Sequence, residues 1–231
     1  MTLAAVKDHV ERSGLCIRSA FHVEDDDEVP VPAATLILLG WVGSASWKAF
    51  AASAEATDGR GDPLDRWSRR VIDDIARTLC ASALYPFAGP PWLPFQRWAQ
   101  RGGRVFVSPL GILIHPGWGL WHSYRGALAF PERLGLPTAA PRANPCDTCV
   151  EKPCLARCPV SAFSRDGYDV SRCRAHVSGS AGAACMETGC LARNACPIGA
   201  EHRYTPTHAA FHMHAFRGDG RLPDSPAGRA R

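Results

Sequence analysis

Eight of the chain's ten cysteines fall between residues 146 and 200, and any fold must give them a common purpose. The run opens Cys146-Asp-Thr-Cys149-Val-Glu-Lys-Pro-Cys154-Leu-Ala-Arg-Cys158-Pro159-Val-Ser-Ala162. After a solitary Cys173 it resumes Cys185-Met-Glu-Thr-Gly-Cys190-Leu-Ala-Arg-Asn-Ala-Cys196-Pro197-Ile-Gly-Ala200. Laid over one another, the halves read C-x-E-x-x-C-L-A-R-C-P-V-x-A and C-x-E-x-x-C-L-A-R-(N-A)-C-P-I-x-A. The fixed points of this internal repeat are cysteines and the proline that follows the last of each half.

The count suits two 4Fe-4S clusters. Each iron takes one thiolate, so a cubane needs four cysteines and a pair needs eight. In two-cluster bacterial ferredoxins the cysteine before proline ligates the other cluster. Applied here, one cluster takes Cys146, Cys149, Cys154 and Cys196, and the other takes Cys173, Cys185, Cys190 and Cys158. The proline ends the approach of the chain, because it has no N–H to donate and its ring fixes the backbone. The spacing is stretched relative to the compact C-x2-C-x2-C-x3-C-P run. Zinc favours groups of the C-x2-C…C-x2-C kind and does not call for Cys-Pro endings. Disulfides require an oxidising compartment.

At 231 residues the chain has room for one good-sized domain or two modest ones. Its first ten residues meet charge at once, unlike a signal peptide, and no stretch approaches the ~20 apolar residues of a membrane span. A cytoplasmic protein is expected, where thiols stay reduced. The net charge of +4 is slight and scattered, which argues against a nucleic-acid partner. The division expected is an α/β cofactor or substrate module over 1–140, a cluster module over 141–216 and a disordered tail over 217–231.

Along the chain, Leu3, Val6 and Val10 predict an amphipathic helix stopped at Gly14. Residues 16–23 predict a strand, the acidic run 24–28 a solvated loop, and the apolar run 35–41 a central buried strand. Asp62 is the predicted N-cap of a helix with Pro63 in its first turn, packed through Trp67, Val71, Ile75 and Leu79. Cys80 reads as a small core residue, and neither it nor Cys16 is expected to ligate. Residues 86–94 form a proline-rich loop, followed by a short helix from Phe95 and a strand at 105–107. Beyond the cysteines, Thr205-Pro206-Thr207 predicts a helix that packs Phe211 and Phe216 and leaves its histidines half exposed.

A second signal lies at residues 111–130. Pro116, Gly117 and Gly119 make a tight turn after a strand, and Ala127 to Phe130 return as a strand. The turn offers His115, Trp118, Trp121, His122, Tyr124 and Arg125 to one neighbourhood. An arginine there can bind an anionic group, and indoles can stack on a planar cofactor. His115, Trp118, Trp121 and Arg125 are therefore the candidate cofactor-binding residues. No catalytic residue declares itself.

The string H-P-x-W-G-x-W-x-x-x-R-G over residues 115–126 resembles the H-P-x-F-G-x-W-x-x-x-R-G stretch of cobalamin-trafficking, decyanating proteins. An α/β module followed by paired cysteine sets with a lone mid-cysteine resembles epoxyqueuosine reductases and corrinoid reductive dehalogenases. The resemblance implies an α+β chain: a nitroreductase-like mixed-sheet module that holds cobalamin, then a ferredoxin-like module with two 4Fe-4S clusters. It also implies a low-potential electron donor such as a flavodoxin or ferredoxin reductase, with flavin as the alternative to cobalamin. Residues 83–94 lack the aspartate-centred catalytic stretch of epoxyqueuosine reductases, so queuosine chemistry is not expected. Three functions follow: a redox protein feeding electrons to the first module, a corrinoid-handling protein whose clusters keep cobalt reduced, and a plain ferredoxin-like carrier. Clusters or zinc acting only as staples form the structural alternative.

Overall fold

The apolar run at Thr35 becomes the centre of a sheet. In the computed structural model, which describes residues 1–138, 142–164 and 167–218, the chain forms two units. The first comprises residues 1–106 and 122–143, and the second comprises 107–121 and 144 onward.

The first unit is built on a four-stranded antiparallel sheet. Its strands are β1 (Cys16–His22), β2 (Thr35–Val42), β3 (Ser82–Leu84) and β4 (His122–Phe130), in the order β1-β2-β4-β3. All of β2 except Val42 is buried, as expected of an interior strand covered on both faces. Helix α1 (Leu3–Arg12) is capped by the Thr2 hydroxyl, which accepts from Ala5 N at 3.2 Å, and it buries Val6 and Val10. Helix α2 (Pro63–Thr78) crosses the sheet, and a Cβ on Gly126 would lie 2.7 Å from Ile72 Cδ1. Helix α3 (Phe95–Gly103) packs on β1, with Trp98 fully buried and its indole N–H bonded to Asp27 O at 2.7 Å.

Four details differ from the sequence expectation. Asp62 does not cap α2: it adopts a left-handed conformation (φ 51°) without a side-chain capping bond. The buried stripe of α2 runs through Leu64, Trp67, Ser68, Ile72, Ile75 and Ala76, so Ile72 takes the place expected of Val71. Cys80 is exposed and has φ 53°, because the chain must turn there from α2 into β3. The acidic run is also more than a solvated loop. Asp27 is 2% exposed, accepts from Glu24 N at 2.8 Å and meets Arg101 Nε at 3.1 Å. Arg101 bonds Glu24 as well, at 2.8 Å, so α3 holds the acidic turn in place.

The second unit holds helices α4 (Pro153–Ala156), α5 (Val170–Ser178), α6 (Ala183–Thr188), α7 (Leu191–Asn194) and α8 (Pro206–Arg217), with an antiparallel pair of short strands at Phe163–Ser164 and Gly167–Tyr168. The two short helices α4 and α7 occupy equivalent places in the sequence repeat and pack on each other. Val177, Cys185 and Met186 form a small core closed by Cys173, Leu191, Met213 and Phe216. Helix α8 leaves His212 and His214 half-buried, as expected, but buries His208 completely. That ring stacks on Tyr204 at 3.9 Å and shares a 3.0 Å hydrogen bond with His212 Nε2. The tail expected to be disordered lies, from residue 219, outside the described residues.

Candidate metal centres

Cys158, Cys173, Cys185 and Cys190 line one cavity of about 190 Å³ in the second unit. Its remaining wall is mainly apolar and includes Phe163, Tyr168, Val177, Leu191, Met213 and Phe216. Cys185 comes from α6, Cys173 from α5, and Cys190 from the turn before α7. Cys158 arrives from the first half of the repeat, and its sulfur accepts from Ala162 N at 3.2 Å. Burial raises the pKa of the Tyr168 phenol, and its hydrogen bond with Cys173 raises it further.

The other four cysteines also gather. Burial raises the Cys146 thiol pKa, and Cys196, Cys154 and Cys149 raise it further as neighbours. Cys154 responds in the same way to burial, Cys196 and Cys149. Cys196, carried from the end of the second half, is raised by burial and by Cys149, against a lowering by Arg203. Cys158 thus lines a cavity with three cysteines that follow it, and Cys196 is an electrostatic neighbour of Cys146, Cys149 and Cys154.

The lining of the Cys158 cavity bears on whether a thiolate-ligated cluster would fit there. Among the described residues no three or more His, Cys, Asp or Glu side chains form a group that could hold a metal ion. A four-iron cluster makes a different demand, since it takes one thiolate on each iron and its ligands ring a space instead of converging on a point. The second group rings such a space. Burial also raises the thiol pKa of Cys185 and Cys190. A metal that binds these thiols must displace their protons.

The four cofactor-binding candidates are divided between the units. His115, Trp118 and Trp121 belong to the second unit, and Arg125 lies on β4 of the first. Tyr124 and Arg125 are strand residues, because β4 begins at His122 and pairs that end with Val42, Trp41 and Gly40.

His115 organises the turn. Its Nδ1 accepts from Gly117 N at 3.0 Å and Trp118 N at 3.2 Å, and its ring stacks on Trp118 at 3.8 Å. Backbone bonds between His115 and Gly119 close the turn in both directions, at 2.9 and 2.8 Å. Trp121 is buried, with the Arg193 guanidinium 4.6 Å from its ring and Tyr204 edge-on at 5.5 Å. Arg193 also donates to Leu120 O. The turn therefore packs against the segment that carries Cys196. Gly119 and Gly199 touch backbone to backbone there: a Cβ on Gly119 would fall 1.8 Å from Ile198 O, and one on Gly199 would fall 2.3 Å from Trp118 C. The glycine in this motif was visible in the sequence, but its partner segment was not.

Arg125 occupies a β-bulge. The register steps from Leu39↔Gly126 to Gly40↔Tyr124, so Arg125 is the extra residue, and bulges of this kind re-aim a side chain. It bonds Asp65 and donates from Nε to Ser68 Oγ at 2.9 Å, which anchors β4 to α2. Its guanidinium and that of Arg69 each lie 5.5 Å from the Phe87 ring.

Cys16 and Cys80 lie in the first unit, on β1 and just after α2. Replacing either with serine is expected to leave iron per chain unchanged after anaerobic reconstitution. Loss of a cluster from either variant would show that the ligand sets are misdrawn.

No known protein family matches the chain, and no curated protein does. Solved structures share its fold. An epoxyqueuosine reductase crystallised with an epoxyqueuosine-modified tRNA-Tyr stem loop superposes with a TM-score of 0.53 at 14% identity, covering 96% of this chain and 68% of that one. The C. elegans B12-trafficking protein CblC, a human MMACHC homologue, gives 0.51 at 14% identity, covering 93% of this chain and 95% of that one. The epoxyqueuosine reductase of Bacillus subtilis gives 0.48 at 13% identity, covering 96% and 69%. The likeness is one of fold: a mixed α/β chain with small antiparallel sheets.

Proposed function

We propose that this chain is an oxidoreductase-type redox protein. In this reading it carries two 4Fe-4S clusters in a ferredoxin-like second unit and passes single electrons to a cofactor or substrate held by the first. The observation that carries the reading is the crossed grouping of cysteines. Cys158 stands with Cys173, Cys185 and Cys190 around one cavity, while Cys196 neighbours Cys146, Cys149 and Cys154. Exchange of the Cys-Pro ligand between halves is the habit of two-cluster ferredoxins. When bound, such clusters supply one-electron transfer at a potential set by net charge, hydrogen bonds to sulfur and exposure.

The chain's own residues complete the arrangement. Tyr168 supports Cys173 through its phenol, and the Ala162 amide supports Cys158. The His115–Gly119 turn backs the strand of chain that delivers Cys196. Protein reconstituted anaerobically is expected to hold eight iron and eight sulfide, two clusters of four. Its visible absorbance should bleach with a low-potential reductant. Stoichiometric zinc without sulfide, in protein matured anaerobically, would sink the reading.

For the first unit the favoured ligand is a corrinoid, with flavin the alternative, because a B12-trafficking protein is among its fold neighbours. Arg125 is held by Asp65 and Ser68, so in this reading it fixes the end of β4 beside Phe87 and Arg69 and shapes the site without being its anion-binding group. At normal iron content, Arg125→Ala is expected to weaken corrinoid binding in an anaerobic titration by loosening that strand end. If the intact chain binds neither corrinoid nor flavin, a plain ferredoxin-like electron carrier remains. A tRNA stem loop accompanies one fold neighbour; here the slight charge of +4, without a basic stripe, favours no nucleic acid. No helix among the described residues is long and apolar enough to cross a membrane. The reading takes the cytoplasm as the setting and a flavodoxin or ferredoxin reductase as the donor.

A further inference from the structure

The two halves of the cysteine repeat differ at one charged position. Aligning Cys149-Val-Glu-Lys-Pro-Cys154 with Cys185-Met-Glu-Thr-Gly-Cys190 sets Lys152 opposite Thr188 and leaves the glutamate in common. Lys152 adopts φ 43°, a left-handed conformation that favours glycine and that most side chains resist. Proline follows it, which further disfavours helical backbone at that position. A lysine held there is held by its side chain. The ammonium turns back over the cysteine loop and donates to Cys146 O and to Cys149 O, the latter at 2.6 Å. Thr188 has no such reach, and its hydroxyl donates to Ala184 O at 2.7 Å within its own helix.

We propose that Lys152 makes the two metal sites unequal. Its ammonium, fixed over the Cys146–Cys149 loop, raises the reduction potential of the first site above that of the second, so an electron leaving the second site is accepted by the first. The inference rests on the two-cluster reading and adds a direction to it. The physical reason is net charge: reducing a cluster adds one negative charge, which a nearby cation stabilises, and net charge is among the quantities that set cluster potentials. Among the described residues, those lining the cavity of the second site include His176 and no lysine or arginine.

The test uses the full chain, reconstituted with iron and sulfide, whose two midpoints are read by redox titration with electron paramagnetic resonance. Iron and sulfide are counted first. A wild-type chain without clusters overturns the underlying reading, and this proposal with it. With both sites filled, Lys152→Met is expected to lower the higher midpoint by about 59 mV, a tenfold change in a one-electron equilibrium, and to leave the lower one in place. Lys152→Arg, which keeps the charge, should leave both midpoints near wild type. Unchanged midpoints in Lys152→Met, or equal movement of both, would overturn the proposal while leaving the clusters themselves established. Loss of half the iron in Lys152→Met but not in Lys152→Arg would also overturn it, because the lysine would then serve only to hold the loop.

Discussion

Cys196→Ser is expected to empty the site of Cys146, Cys149 and Cys154 while the second site stays filled, and Cys158→Ser is expected to do the reverse. Each change should remove about half of the iron, one cluster of two. The reason lies in how the chain delivers these residues. Cys196 ends the second half of the repeat, yet its thiol neighbour is Cys149 of the first half. Cys158 ends the first half and lines a cavity with three cysteines that follow it. Serine keeps the size and removes the thiolate that iron requires, so the loss reports ligation more than packing. The comparison that decides is Cys190→Ser. Cys190 belongs to the same half as Cys196 but lines the cavity shared with Cys158, so the two variants should lose different resonances. If Cys196→Ser and Cys190→Ser empty the same site, the crossed assignment is wrong.

How much of this could be read from the sequence depends on what fixed each feature. The cysteine repeat declares itself because one residue type recurs at matched places in both halves. The central strand β2 is legible because an unbroken apolar run of strand length, like Thr35-Leu-Ile-Leu-Leu-Gly-Trp41, suits a strand covered on both faces. Other features depend on where distant segments meet. Asp27 reads as a solvated acid until Arg101, on a helix seventy-odd residues later, is placed beside it. The bulge that re-aims Arg125 follows from the register of β2 against β4, which periodicity alone does not reveal. Residues 111–130 read as one strand–turn–strand element, but the chain passes from one unit to the other between Trp121 and His122. His115 also looked like a ligand-binding residue, and its Nδ1 is instead occupied by the amides of its own turn. A polar side chain beside Pro-Gly can serve either purpose, and the sequence does not separate them.

Gly119→Ala is expected to damage the first metal site through a residue that touches no metal. Gly119 has φ +57°, and its Cβ would lie 1.8 Å from Ile198 O and 2.7 Å from Ile198 C. Gly199, on the other segment, has φ +63° and would place a Cβ 2.6 Å from Gly119 N. The obstructing atoms are backbone on both sides, so no side-chain rotation relieves the clash. The segment from Cys196 to Gly199 has to move, and Cys196 moves with it. Left-handed strain in a non-glycine residue costs about 1–3 kcal/mol, and forced overpacking typically costs about as much again. A total of roughly 3 kcal/mol is a large share of the ~5–15 kcal/mol that holds a domain together. Gly111→Ala separates the two contributions. Gly111 has φ +73° in the same unit, but a Cβ there meets nothing within 4 Å. It should lose only the backbone part, about 1 kcal/mol, and keep all of its iron. Denaturant unfolding and iron analysis of the two variants side by side make the comparison. Equal stability and equal iron in both would mean that the contact between the turn and residues 196–199 does not position Cys196.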